Sequence, residues 1–145
     1  MYKRRIAVRG IIYKNGKLFA QKLKNRSGKN AFWSTPGGGL NDGEHLLAGL
    51  HRELVEETGI APHIGPLVLI QQFHDGSQEQ LEFFFHVKNA GDYEQIDLAK
   101  TSHGELEIAE FGFIDPQKEL VLPNKLRSFN YEQLTGVNIV NYLPL

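Results

Sequence analysis

The chain has 145 residues, of which 41% are hydrophobic and 23% charged, with nine Phe, five Tyr and no Cys. This is enough apolar material for a core without covalent staples, and the missing thiols exclude disulfides, cysteine nucleophiles and thiolate metal sites. Lys and Arg number 16 against 17 Asp and Glu, a formal net charge of -1, which argues against a nucleic-acid partner gripped through its phosphate backbone.

Residues 4–13, RRIAVRGIIY, predict a strand, and Asn15-Gly16 a tight turn into LFAQKLK at residues 18–24. The N-terminal charge precedes no long uncharged run, so the segment reads as a strand and not as a leader. No window reaches the apolar length of a membrane span, and a cytoplasmic protein is the expectation. Lys3, Arg4, Arg5 and Arg9 form the basic cluster of the chain. They read first as protective charge on a solvated edge strand, and second as a phosphate-steering patch.

A polar loop, NRSGKN, leads to AFWST, an extended piece ahead of Pro36 in which Phe32 and Trp33 read first as core residues and second as a base-stacking pair. The next element is the clearest helix, Glu44 to Thr58. Leu47, Leu50, Leu54 and Val55 recur at helical spacing as a core-facing stripe, and Gly59 stops the helix. Gly49 inside it costs about 1 kcal/mol relative to alanine, which a closely approaching backbone would justify. Strands follow at residues 66–74 and 80–88, around the turn DGSQE. After a polar connection, EIAEFGFID at residues 107–115 predicts a further strand, and residues 124–134 a second helix with Leu126, Phe129 and Gln133 inward. The tail NIVNYLPL is apolar enough to pack against the body or a second subunit, so a homodimer is compatible with the sequence. The whole pattern predicts one α+β domain over residues 1–145, a mixed central sheet sandwiched between helices.

The first helix concentrates negative charge. Glu53 lies three residues before Glu56 and four before Glu57, so the three carboxylates share a face, and Arg52 is spaced to pair with Glu56. Glu56 and Glu57 stand near the helix C-terminus, where the helix dipole disfavours anions. An acidic solvated surface is the plain reading. A divalent cation would relieve the repulsion, and carboxylate oxygens suit Mg2+ or Mn2+. The preceding Pro36-Gly37-Gly38-Gly39 lets backbone come close to a metal or a phosphate.

Gly38 to Ile60 resembles the Nudix box of the Nudix hydrolase (MutT-like) family: G, five residues, E, seven residues, REU, one residue, EE, one residue, GU, with U aliphatic. Gly38, Glu44, Arg52-Glu53-Leu54, Glu56-Glu57 and Gly59-Ile60 fill every fixed position. The resemblance implies the Nudix fold and hydrolysis of a nucleoside diphosphate linked to a moiety X: a nucleoside triphosphate, a nucleotide sugar or a dinucleoside polyphosphate. It implies Glu53, Glu56 and Glu57 as ligands of Mg2+, with Mn2+ able to substitute, and a carbonyl of Gly37 or Gly38 as a further ligand. Arg52 is implied to orient a ligand glutamate, and Glu44 to hold the loop and meet metal through water. Among Glu105, Glu107 and Glu110, the strand pattern selects Glu107 as an additional carboxylate, and Glu53 and Glu107 are both candidate bases. His103 is the histidine placed to face a substrate. The alternative is a catalytically silent Nudix-like domain that binds a nucleotide and regulates a partner, although such a domain would be expected to lose box glutamates.

Overall fold

The computed structural model describes residues 3–25, 31–74 and 76–134, with the backbone of 139–141. Strands β1 (Arg4–Ile11), β2 (Tyr13–Lys14) and β3 (Lys17–Leu23) open the chain. The predicted hairpin is present, with Asn15 at φ 51° and Gly16 at φ 78°, the left-handed pair that such a turn demands. The long strand expected at residues 4–13 is divided at Ile12. β1 enters one sheet, whereas β2 pairs with β3 in another, and the Ile12 carbonyl accepts from Phe19 N–H at 2.8 Å.

The remaining strands and α-helices among the described residues are β4 (Gly37–Gly39), α1 (Leu46–Thr58), β5 (Ile64–His74), β6 (Glu79–Val87), α2 (Gly104–Glu107), β7 (Ile108–Ile114), α3 (Lys125–Ser128) and β8 (Ile139–Asn141). The larger sheet runs β4-β1-β6-β5-β8 and is mixed: β1 is parallel to β6 and β5 to β8, and the other pairs are antiparallel. A second, antiparallel sheet runs β2-β3-β7. The fold is thus α+β, with a mixed central sheet and helices on its faces. One core, containing Val8, Ile12, Phe85 and Val87, lies beneath Leu50 and Leu54 of α1. The other packs Ile11, Leu69 and Phe84 against Leu18, Ala20 and Ile114 of the small sheet and Leu126 of α3. Trp33 is buried in that second core, as expected.

Several expectations are corrected. β1 is an interior strand of the large sheet, not a solvated edge, because the arginines along it find partners there: Arg9 Nε donates to Glu82 at 2.7 Å, and Arg4 pairs with Glu79. The helix begins at Leu46, after His45, and its inner stripe is shifted. Leu47 and Val55 are exposed, whereas Gly49, Leu50, Leu54, Glu57 and Thr58 are buried. No backbone crowds Gly49; a methyl group there would stand 2.3 Å from Cδ2 of Leu40 and 3.1 Å from a Glu44 oxygen. Residues 124–134 give only the short α3, because Phe129 turns extended so that it and Tyr131 join an aromatic cluster, with Tyr131 stacked on Tyr13 at 4.3 Å. Gln133 is exposed. In the tail, Ile139–Asn141 pairs with β5; its other residues, most of the loop at 25–30 and Asp75 of the turn lie outside the described residues.

Leu54 is fully buried between α1 and the large sheet. Leu54→Ala should therefore cost about 3 kcal/mol of stability, read as a lower urea midpoint at unchanged slope. A loss below about 1 kcal/mol would contradict this placement. Among the described residues, no helix is long and apolar enough to cross a membrane.

Candidate active site

α1 begins right after the glycine strand β4, and the two are tied together by Arg52. Its Nε and Nη2 donate to the two oxygens of Glu44, both at 2.8 Å, and Nη2 also donates to the Gly39 carbonyl at 3.1 Å. Nη1 is shared between Glu53 at 3.0 Å and Glu56 at 3.2 Å. The predicted pair with Glu56 therefore exists, but the main partner is Glu44, whose other bond, from Asn41 N–H at 3.0 Å, closes the loop. Arg52 and the Asn41 amide hold the Glu44 carboxyl down at about 2, as charge-assisted bonds to the ionised form should. Arg52 is in turn driven further toward its charged form by Glu44 and Glu53.

Glu57 follows a different course. It lies on the same side of α1 as Leu50 and Leu54, is only 4% exposed, and accepts from Gly37 N–H at 3.0 Å, with the Gln21 side chain beside it. Burial, and then the charge of Glu53, push its carboxyl from an ordinary 4.5 up to about 8. Glu53 is also raised, by burial and by Glu56 and Glu107, against the pull of Arg52. Its carboxylate lies against Gly38, where a methyl group would come within 2.7 Å of it.

Gly37 has φ 144°, and a side chain there would run into the Val8 carbonyl at 2.0 Å. Only glycine fits. Gly10 N–H bonds the Pro36 carbonyl and Leu40 N–H bonds that of Ile6. The Val8↔Gly38 pair between them is therefore the bonding one, which turns the Gly38 carbonyl toward β1 and that of Gly37 away. Of the two glycines, even in the sequence, Gly37 is the one whose carbonyl is turned away from β1.

Glu53, Glu56, Glu57, Glu107, Gly37, Gly38 and His103 line a single cavity of about 350 Å³. Glu44 stands outside its lining, as do Glu105 and Glu110. Glu107 is not at a strand start but ends α2, where its amide donates to the His103 carbonyl at 3.0 Å. His103 is anchored to α1 by its own N–H, 3.0 Å from the Glu56 carbonyl, and its Nδ1 lies 3.6 Å from the Glu56 carboxylate. The sequence reading did not place Gln21 or Ser34 here, and it ranked Arg5 and Arg9 as surface charge; all four line the cavity. Gln21 is buried, and among the described residues its Oε1 has no partner.

This donor set suits a hard divalent cation: several carboxylates, two of them raised by crowding and burial, beside a backbone carbonyl. Among the described residues, however, no three acidic or imidazole groups converge as a ready-made cage. Arg52 holds Glu53 and Glu56, and Gly37 N–H holds Glu57.

Comparison with known proteins agrees with this geometry. The profile of the NUDIX domain matches residues 3–135. The chain belongs to the Nudix family. An RNA pyrophosphohydrolase of Caulobacter vibrioides is 30% identical over 107 residues, 64% of this chain and 62% of that protein; the match thus spans under two thirds of that relative's length. An ADP-ribose pyrophosphatase of Methanocaldococcus jannaschii is 40% identical over 63 residues, 43% of this chain and 37% of that one. The crystal structure of a MutT protein from Methanosarcina mazei Go1 superposes with a TM-score of 0.68 at 25% identity, covering 88% of this chain and 91% of the other.

The raised Glu57 carboxyl gives this Nudix chain a testable pH dependence. The folded protein binds the Glu57 proton more tightly than the unfolded chain does, with a pKa of about 8 against 4.5. Its contribution to stability is thus fully present below 4.5 and is lost as pH rises through about 8. In chelator, the urea midpoint should fall across that interval, and Glu57→Gln should flatten the fall. An identical slope in the variant would contradict the burial of a charge at this position.

Proposed function

We propose that the protein is a divalent-metal-dependent hydrolase that cleaves the phosphoanhydride bond of a nucleoside diphosphate linked to a moiety X. The observation that carries this reading is the convergence of three glutamates of the box, Glu53, Glu56 and Glu57, on one cavity beside the outward carbonyl of Gly37. Those four groups would hold Mg2+ or Mn2+. Bound there, the cation would supply positive charge to the phosphoryl oxygens and make an attacking water more acidic.

The chain's own groups do the rest. Arg52 fixes the carboxylates of Glu44, Glu53 and Glu56 relative to β4. Gly37 N–H orients Glu57. A carboxylate at the cavity wall, Glu53 or Glu107, accepts the proton of water as it attacks phosphorus. No residue needs to become covalently attached to the substrate.

The relatives' names differ in substrate, RNA in one case and ADP-ribose in the other, so the family alone leaves X undecided. A phosphate-release screen would test the activity, using nucleoside triphosphates, ADP-sugars and dinucleoside polyphosphates with Mg2+ or Mn2+, and anion-exchange analysis of the products. Metal-dependent cleavage of any of them supports the reading. Nucleotide binding without cleavage of any would show instead the silent, regulatory form of the domain.

A further inference from the structure

The cavity is lined by charges of both signs: glutamates of α1 and α2, and Arg5 and Arg9 of β1. Most of the arginines nearby are already matched: Arg4 with Glu79, Arg9 with Glu82, and Arg52 with three glutamates. Arg5 is different. Among the described residues its guanidinium meets no carboxylate, and its one side-chain bond, to the neutral Oε1 of Gln80, is long at 3.4 Å.

The third glycine of the loop positions this guanidinium. A methyl group at Gly39 would stand 3.1 Å from Arg5 Nε and 3.3 Å from Nη2, closer than the group can rest without moving. The bare backbone at Gly39 therefore lets the guanidinium lie on the loop at the cavity wall. Gly39 does not have a positive φ, so what a side chain there would meet first is Arg5, whose guanidinium would have to shift by a few tenths of an ångström.

Charge balance indicates what such a cation is for. A diphosphate bridge between two uncharged groups carries two negative charges. A 5′-triphosphate carries roughly two more on its terminal phosphate. An unmatched, planar guanidinium is the side chain best suited to those oxygens, since it can donate two parallel bonds. We propose that Arg5 is a specificity-determining residue that grips the terminal phosphate of a 5′-triphosphate, so that this chain favours substrates in which X is phosphate over those in which X is a sugar. The assignment rests on the hydrolase reading above for its chemistry, but its binding step can be measured separately.

The test has a binding arm and a turnover arm. In the first, inorganic tripolyphosphate is titrated calorimetrically into the Mg2+-supplemented protein. Arg5→Gln should weaken binding by about tenfold or more, Gly39→Ala and Arg5→Lys should fall between it and the wild type, and ADP-ribose binding should change by less than about twofold. Undiminished tripolyphosphate affinity in Arg5→Gln, or an equal loss for ADP-ribose, overturns the proposal. In the second arm, KM for a nucleoside triphosphate and for a 5′-triphosphorylated RNA oligonucleotide should rise in Arg5→Gln at nearly constant kcat, whereas ADP-ribose kinetics should hold. The faster wild-type substrate then identifies the source of the triphosphate. A wild type that binds tripolyphosphate through Arg5 yet cleaves nothing would defeat the hydrolase reading and leave the Arg5 assignment standing.

Discussion

Glu57→Gln should lose roughly a hundredfold or more in kcat, together with most of its affinity for Mn2+, and yet be at least as stable as the wild type at pH 8 in the absence of metal. The opposite signs follow from one feature. Glu57 is buried, and its carboxyl is pushed up to about 8 by that burial and by Glu53. An ionised carboxylate in such a place is costly unless a cation compensates it. Glutamine keeps the shape and still accepts from Gly37 N–H, so it relieves the cost while removing the charge that would hold a metal. Damage to the fold would lower stability and activity together. Urea denaturation, Mn2+ binding followed by electron paramagnetic resonance, and turnover measured on the same preparation separate the two cases. Turnover within about threefold of wild type would refute the role given to Glu57.

How much of this site the sequence revealed depended on how local each interaction is. The box set Arg52, Glu53, Glu56 and Glu57 on one helix, and the helical period alone placed the carboxylates together. The same period carried an unused signal: Glu57 falls three residues after Leu54 and seven after Leu50, in line with the buried leucines and not with exposed Leu47 and Val55. The main partner of Arg52 could not be read in this way, because Glu44 precedes the helix and meets Arg52 only through the loop conformation. β1 was misjudged for a similar reason. Its arginines look like surface charge until β6 supplies Glu79 and Glu82 from more than 70 residues away, and that parallel pairing leaves no mark on β1 itself. At α3, local helical preference lost to the aromatic packing of Phe129 and Tyr131 near Tyr13, a tertiary contact that no window of residues 124–134 contains.

Glu107→Gln should lose roughly a hundredfold in kcat while binding Mn2+ nearly as tightly as the wild type, whereas Glu53→Gln should lose both. The two carboxylates share the cavity but differ in freedom. One oxygen of Glu53 accepts from Arg52 at 3.0 Å, and its carboxylate is packed against Gly38, a fixed position suited to a metal ligand. Glu107 ends a four-residue helix, lines the same cavity and, among the described residues, has no side-chain hydrogen bond. A base must be able to approach water and to change protonation without breaking a salt bridge that positions the site, and Glu107 meets both conditions. The separation of kcat from metal affinity is the decisive readout, because a merely structural Glu107 would move neither. Full turnover in Glu107→Gln, with all activity lost in Glu53→Gln, would transfer the base to Glu53 and leave Glu107 a bystander at the cavity wall.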